Sequence, residues 1–327
     1  SSEIMSIVRD SPIEVKKENL VFDFSDDGSG FAVDGKVTAT YEMVNATDEP
    51  QSVQMAFPFV GTLNNILPNG ITITADDSAV SYDVYIGDAV DSHGTSSGDN
   101  KVSFDFNHIV NTIKVEPYKA KNFSQNEKGK LYIINVKPTT DQEINFAVDF
   151  NFDSKKTKVF THGFNQYECD DKKTRIAAWC YRPESLEIYV LGEDIDFNIN
   201  AYTDGDLSKE TDLFQHQIST QEVELEPYLM EYIKKNTNIK NMEMFSETQL
   251  YNVYAKALDT YFTSGFSSEN DLLDHETHQR ILTLVYNVEF APNSQRKVSV
   301  SYNTSGTMDR TQTIEPLYSF DYILNPA

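Results

Sequence analysis

From Asp23 to Asp34 the chain reads DFSDDGSGFAVD, which puts oxygen-bearing side chains on the spacing of a calcium loop. Asp23, Ser25 and Asp27 fill positions 1, 3 and 5 of that loop, Gly28 fills the tight-turn position 6, Ser29 position 7 and Asp34 position 12. Hard oxygen donors so spaced can wrap one cation. The flanks argue the other way: NLVFDF and FAVDGKVTATYEM are strand-like, Gly30 stands where an apolar residue normally pins the loop, and Asp34 is shorter than the usual glutamate. The competing reading is a β-hairpin tip, which Asp, Ser and Gly form without metal, and the flanks favour it. Calcium is the one cofactor the sequence brings into question.

Cys169 and Cys180, the two cysteines, lie in YECDDKKTRIAAWCYRP. DDKKT is a turn signal between two strand-like arms, so the sequence predicts thiols facing each other across a hairpin. A disulfide there would stabilise by roughly 3 kcal/mol and would argue for an extracytoplasmic location; two buried free thiols are the alternative. The spacing does not suit a zinc site of paired C-x-x-C units. Trp179, beside Cys180, is expected as a core plug over that bridge in preference to a sugar-stacking platform.

Other chemistry is thinly signalled. DHETH gathers Asp274, His275, Glu276 and His278, but its histidines are spaced i, i+3 where helical metal pairs use i, i+4, and the stretch reads as a connector. No G-x-S-x-G elbow is present, and His162 matches no nucleophile–base spacing. With 51 acidic residues, carboxylate pairs at glycosidase distance arise by accident and carry no weight. Asn45, Asn122 and Asn303 sit in glycosylation triplets at a frequency close to chance.

The elements that must position these residues are mostly strands. KVTATYEMVN alternates Val37, Ala39, Tyr41 and Met43 against polar neighbours. GITITADDSAVSYDVYIGD is expected as a hairpin about Asp76-Asp77, KLYIINVKPTTDQEINFAVDFNFD as one turning at KPTTDQ, and LTLVYNVEFAPNSQRKVSVSYNTSG as one turning at APNSQ. Two segments break the pattern. LEPYLMEYIKK places Leu229, Tyr232 and Ile233 on one helical face behind Pro227. SETQLYNVYAKALDTYFTSG opens with a Ser246–Gln249 capping box, carries one apolar stripe through Leu250, Tyr254 and Leu258, and stops at Gly265. A shorter helix is expected near SFDFNHIVNTI, and Gly87–Asn100, around His93, is expected as a surface loop.

A chain of 327 residues exceeds what one core usually supports. The expectation is mainly β: two antiparallel β-sandwich units, residues 1–150 and 151–327, with a helical insertion at about residues 222–265 in the second. The net charge of −24, from 27 basic and 51 acidic residues, repels phosphate backbones and anionic headgroups, excluding nucleic acid and the bare membrane as partners. No apolar run approaches a membrane span, so this segment does not insert. A neutral glycan or a protein partner remains compatible. The strand-like residues running to Ala327 suggest a longer natural chain.

VTATYEMVNATDEPQSVQMAFPFVG, a tyrosine strand running through an Asn-turn into a phenylalanine-proline strand, resembles a pattern of bacterial surface β-domains. KVSVSYNTSGTMDRTQTIEPLYSFDYILNPA resembles the closing strands of uncharacterised clostridial cell-surface proteins. A looser similarity is to the β-domain that accompanies von Willebrand modules in inter-alpha-trypsin inhibitors. The use of Lys and Asn fits a Gram-positive source. The resemblance implies an extracellular, cell-surface location and no activity. The expected function is a non-enzymatic ectodomain that binds a ligand or protein partner; the alternatives are a glycan or peptide hydrolase with a spatially assembled site, or a structural spacer.

Overall fold

The computed structural model describes residues 5–6, 11–24, 33–90, 106–170, 173–309 and 317–320. The chain is mainly β, with several antiparallel sheets, as the alternation predicts. It forms two compact units, and the first is discontinuous: residues 1–116, 238–249 and 276–327, against 117–237 and 250–275 for the second. The expected division at residue 150 therefore gives way to one that the chain crosses repeatedly. A cut there would part β9 (Ile144–Phe150) from its ladder neighbours, β12 (Lys173–Cys180) and β14 (Phe197–Tyr202).

In chain order the first unit opens with β1 (Met5–Ser6), β2 (Ile13–Asp23), β3 (Asp34–Asn45), β4 (Gln51–Gly61), β5 (Ile71–Ala75), β6 (Ser78–Ala79), β7 (Tyr82–Ala89) and helix α1 (Phe106–Ile113). The second adds β8 (Lys128–Pro138), β10 (Thr157–His162), β11 (Gln166–Asp170), β13 (Glu184–Gly192), β15 (Phe214–Glu224), α2 (Leu225–Asn236), α3 (Glu247–Tyr261) and β16 (Phe266–Ser268). The first three residues of α3 count with the first unit. The first unit closes with β17 (Arg280–Phe290), β18 (Ser294–Ser305), β19 (Thr307–Asp309) and β20 (Leu317–Ser319).

In the first unit, one sheet runs β1-β4-β17-β7 and the other β2-β3-β18-β5-β6. Val37, Ala39, Tyr41 and Met43 are all buried, as their alternation requires. Phe57 and Phe59 on β4 meet Tyr302 on β18 at 5.9 and 4.7 Å between ring centroids, joining the two sheets. On the other face of β3, Thr38 and Thr40 hydrogen-bond across the ladder to Ser301 and Ser299 at 2.6 and 2.8 Å. Asp76 and Asp77 have φ of 49° and 63°, the left-handed pair that a tight two-residue hairpin demands, and β5 and β6 flank them.

The second unit stacks β15-β8-β13-β10-β16 on β11-β12-β9-β14. Ile134, Val136, Phe146, Val148, Ile176 and Ile188, drawn from both sheets, lie in one buried cluster. Helix α2 covers the outer face of the five-stranded sheet, where Tyr228 stacks on Tyr189 at 4.2 Å and Tyr232 meets Phe160 edge-on at 5.5 Å.

Two of the three expected hairpins are corrected, and the one about Asp76-Asp77 is shortened, since only Ser78–Ala79 return along β5 while β7 joins the opposite sheet. The turns after β8 and after β17 each carry the chain into the opposite sheet: β8 and β9 belong to different sheets, as do β17 and β18. A short polar turn marks where a strand ends, but in a sandwich it serves crossing and hairpin alike. The expected capping box is half formed. Ser246 Oγ accepts from Gln249 N at 3.2 Å. The Gln249 side chain turns to β7 instead, accepting from Ile86 N at 2.6 Å and donating to Val84 O at 3.1 Å. Helix α3 also buries Tyr251, Ala255 and Asp259 besides its predicted stripe, so it is enclosed on more than one face.

Candidate functional site

The strands on either side of the opening stretch pair with each other. β2 and β3 pair antiparallel, with Asp23 opposite Lys36, and the helical flanks of a helix–loop–helix calcium site are replaced by strands. Asp34 accepts a hydrogen bond from Ser305 Oγ at 2.8 Å. Ser25 and Asp27, the middle pair of the candidate calcium set, lie outside the described residues, as do residues 91–100 of the predicted loop around His93.

The expected disulfide is overturned. The hairpin exists, but Cys169 pairs with Thr174 whereas Cys180 pairs with Ile144 on β9. Six residue steps along β12 separate Thr174 from Cys180, about 20 Å at the rise of a strand, and no disulfide spans that. Both thiols are free; Cys169 is exposed and Cys180 fully buried. Burial pushes the Cys180 thiol up to about 12. Native protein is expected to consume one equivalent of a maleimide at Cys169, the second reacting only in denaturant; two fast equivalents would contradict this packing. Trp179 points to the face of β12 opposite Cys180 and is half-buried there, so it is no plug in the core.

The sequence-flagged polar residues are mostly consumed by structure. Asn45 is fully buried, donating to Glu49 O and Ala291 O at 2.8 and 3.0 Å, and the Asn122 amide donates to Asp259 Oδ1 at 2.9 Å. Of the three triplets only Asn303 is exposed. His275 Nε2 lies 3.3 Å from Asp271 O in the connector that DHETH forms. His162 on β10, which matched no motif, meets Glu269 at 3.0 Å, and Glu269 also accepts from Gly163 N at 2.9 Å. The bond to Glu269 raises His162 above its usual value against the opposing effect of burial, and Asn236 of α2 adds a further hydrogen bond. With Tyr232 edge-on at 5.7 Å, this imidazole ties α2 and the 269–271 turn to the sheet.

The feature that sequence reasoning missed is β15. It pairs with β8 through eleven residues without a register shift, and it is the terminal strand of its sheet. From Gln215 to Glu222 every residue is exposed. The facing sheet explains this. Phe266 on β16 stacks on Tyr167 of β11 at 4.3 Å at one margin, and Tyr132 on β8 meets Phe197 of β14 at 5.0 Å at the other. Four strands are thereby matched with four, and β15, the fifth, overhangs. Phe214 still reaches Phe146 at 5.8 Å, with His216 stacked on Phe214 at 5.7 Å; beyond them, among the described residues, the strand has no sheet opposite it.

Residues opposite one another on an antiparallel ladder share a face. His216, Ile218 and Thr220 therefore lie on the side of buried Val136, Ile134 and Tyr132, while Gln215, Gln217, Ser219 and Gln221 lie on the other. An edge strand leaves the N–H and C=O of every second residue aimed outward, ready to pair with another strand. Natural edges are blunted by brevity, lysine, proline or a bulge. β2, also at an edge and also of eleven residues, carries Lys16 and Lys17 and a register shift between Val15 and Lys17. β6, β11, β14 and β16 are short, with two, five, six and three residues. β15 has none of these protections: FQHQISTQEVE contains no Lys, Arg or Pro.

No family model, no curated protein and no solved structure matches the chain at a meaningful level.

Proposed function

We propose that this chain is a non-enzymatic ectodomain of a bacterial cell-surface protein that binds a protein partner through the open edge of β15. The observation that carries the reading is the unprotected eleven-residue edge overhanging the second sandwich. Such an edge offers main-chain hydrogen bonds for affinity and two rows of side chains for selectivity, which is how strand addition recognises extended segments. A rigid sandwich presenting one accessible element suits recognition. The surface location is supported by the resemblance of Val37–Gly61 and of the closing strands to surface β-domains; the two free thiols give it no support. Among the described residues, no helix is long and apolar enough to cross a membrane.

The test has two arms. Antibody raised to the purified chain is expected to label intact cells of the source, and labelling only after permeabilisation would overturn the location. Purified wild type and a Ser219→Lys variant are then compared for retention of proteins from the cell's surroundings. A partner held by wild type and released by the variant is expected. Identical retention would remove β15 from the function.

A further inference from the structure

We infer that the occupant of the β15 edge is a cationic extended polypeptide, with apolar residues alternating with Lys or Arg, added to the sheet as a sixth strand. The inference rests on β15 being the recognition edge.

The backbone sets the conformation of the occupant. An outer ladder that continues for eleven residues without a shift accepts a strand, and neither a helix nor a sugar supplies donors and acceptors at that repeat. The two faces of β15 set the alternation. One row of incoming side chains lands beside Ile218 and the Phe214–His216 pair, on the overhanging side of the sandwich core. The other row lands beside Gln217, Ser219 and Gln221, in water.

Charge selects the class of partner. β15 carries two carboxylates, Glu222 and Glu224, which lie opposite Lys130 and Lys128 on β8, so the selection rests on the net charge of −24 carried by the whole chain. That field draws a basic segment in and slows an acidic one. It also opposes a second copy of this chain, which would bring another −24 and set the same strand against itself. The whole-molecule charge thus does for self-association what the lysines of β2 do locally, and it leaves the edge available to a partner of opposite sign.

The experiment titrates the full chain with blocked, fluorescent peptides of about nine residues, the length of a long strand. Three peptides alternate valine with lysine, with serine or with glutamate, and a fourth is the lysine peptide N-methylated at every second residue. Hydrogen exchange is followed at β15, and sedimentation of the chain alone reports self-association. The expected result is binding of the lysine peptide at least about tenfold tighter than the serine or glutamate peptides, weakening with salt. It should come with new protection at alternate β15 amides and be lost on N-methylation and in the exposed-site variant Ser219→Lys. Equal binding of the serine or glutamate peptide, with the same β15 protection, would overturn the cationic class while leaving β15 as the recognition edge. A dimer that protects β15 would identify a second copy as the occupant and overturn it as well. Binding of no peptide, with no dimer and no protection, would overturn both this inference and the reading on which it rests.

Discussion

Replacing Asp259 with alanine is expected to destabilise the second unit by about 3–5 kcal/mol, because several donors lose one buried acceptor together. Asp259 on α3 is 4 % exposed. It accepts from Tyr118 Oη at 2.9 Å, Lys121 N at 3.0 Å, Asn122 N at 3.0 Å and Asn122 Nδ2 at 2.9 Å. One carboxylate thereby pins the whole 118–122 segment without a cationic partner in the set. Burial alone would raise its pKa, but the hydrogen bonds, led by that from Lys121 N–H, outweigh it and hold the carboxyl below its usual value of 3.8. The sign follows. A carboxyl lowered in the folded state contributes stability above its unfolded value and loses that contribution as pH falls through the folded one. The wild-type advantage over Asp259→Ala should therefore be full near neutrality and shrink below about pH 4. The chain has a single tryptophan, Trp179 on β12, so urea unfolding followed by its emission reports the second unit specifically. A difference under 1 kcal/mol, or one unchanged by acid, would contradict this role; those bounds follow from about one net hydrogen bond.

Replacing Arg175 with methionine is expected to cost about 2–4 kcal/mol in the same assay, through the carboxylate it strands. Asp149 sits on β9 with only 5 % of its surface exposed. Arg175 grips it with two bonds, Nε to Oδ1 at 2.6 Å and Nη2 to Oδ2 at 3.0 Å, while Lys173 adds a contact at 2.8 Å. The guanidinium also lies 5.5 Å from the centre of the Tyr202 ring. Lys173 remains in the variant but is about half-exposed, so it compensates in part. The double variant Asp149→Leu/Arg175→Met should recover most of the loss, since removing both charges leaves none buried and unpaired. Failure of the second substitution to rescue the first would mean that packing against Tyr202, and not charge, carries the effect.

The strands and helices were legible in the sequence because side-chain periodicity records which face of an element is buried. Val37 to Met43 and the two helices show this. What periodicity does not record is the neighbour. KPTTDQ and APNSQ end strands that then change sheets, and nothing local distinguishes that from a hairpin. β9 is buried at all seven positions, including, on the face opposite Phe146 and Val148, Asn145 and Asp149. Their burial depends on Gln166 and Arg175, partners supplied by other strands. The sequence places Cys169 and Cys180 on the two arms of one hairpin, yet their ladder partners keep them apart. The β15 edge had one visible trace, an eleven-residue strand free of Lys, Arg and Pro. Only the sheet order reveals that such a stretch is terminal.

The interleaved ladders also bear on the order in which the chain can assemble. β3 and β4 form early in the chain, yet their central neighbours β18 and β17 come more than two hundred residues later, as in the Thr38–Ser301 pair at a separation of 263. During synthesis these strands wait with unsatisfied ladders, while every residue of the second sandwich, complete by His275, has already been made. The inner unit can fold while its host is still unfinished, and in doing so it shortens the effective loop that β17 and β18 must close. The second sandwich, interrupted only at residues 238–249, is thus expected to fold ahead of the first.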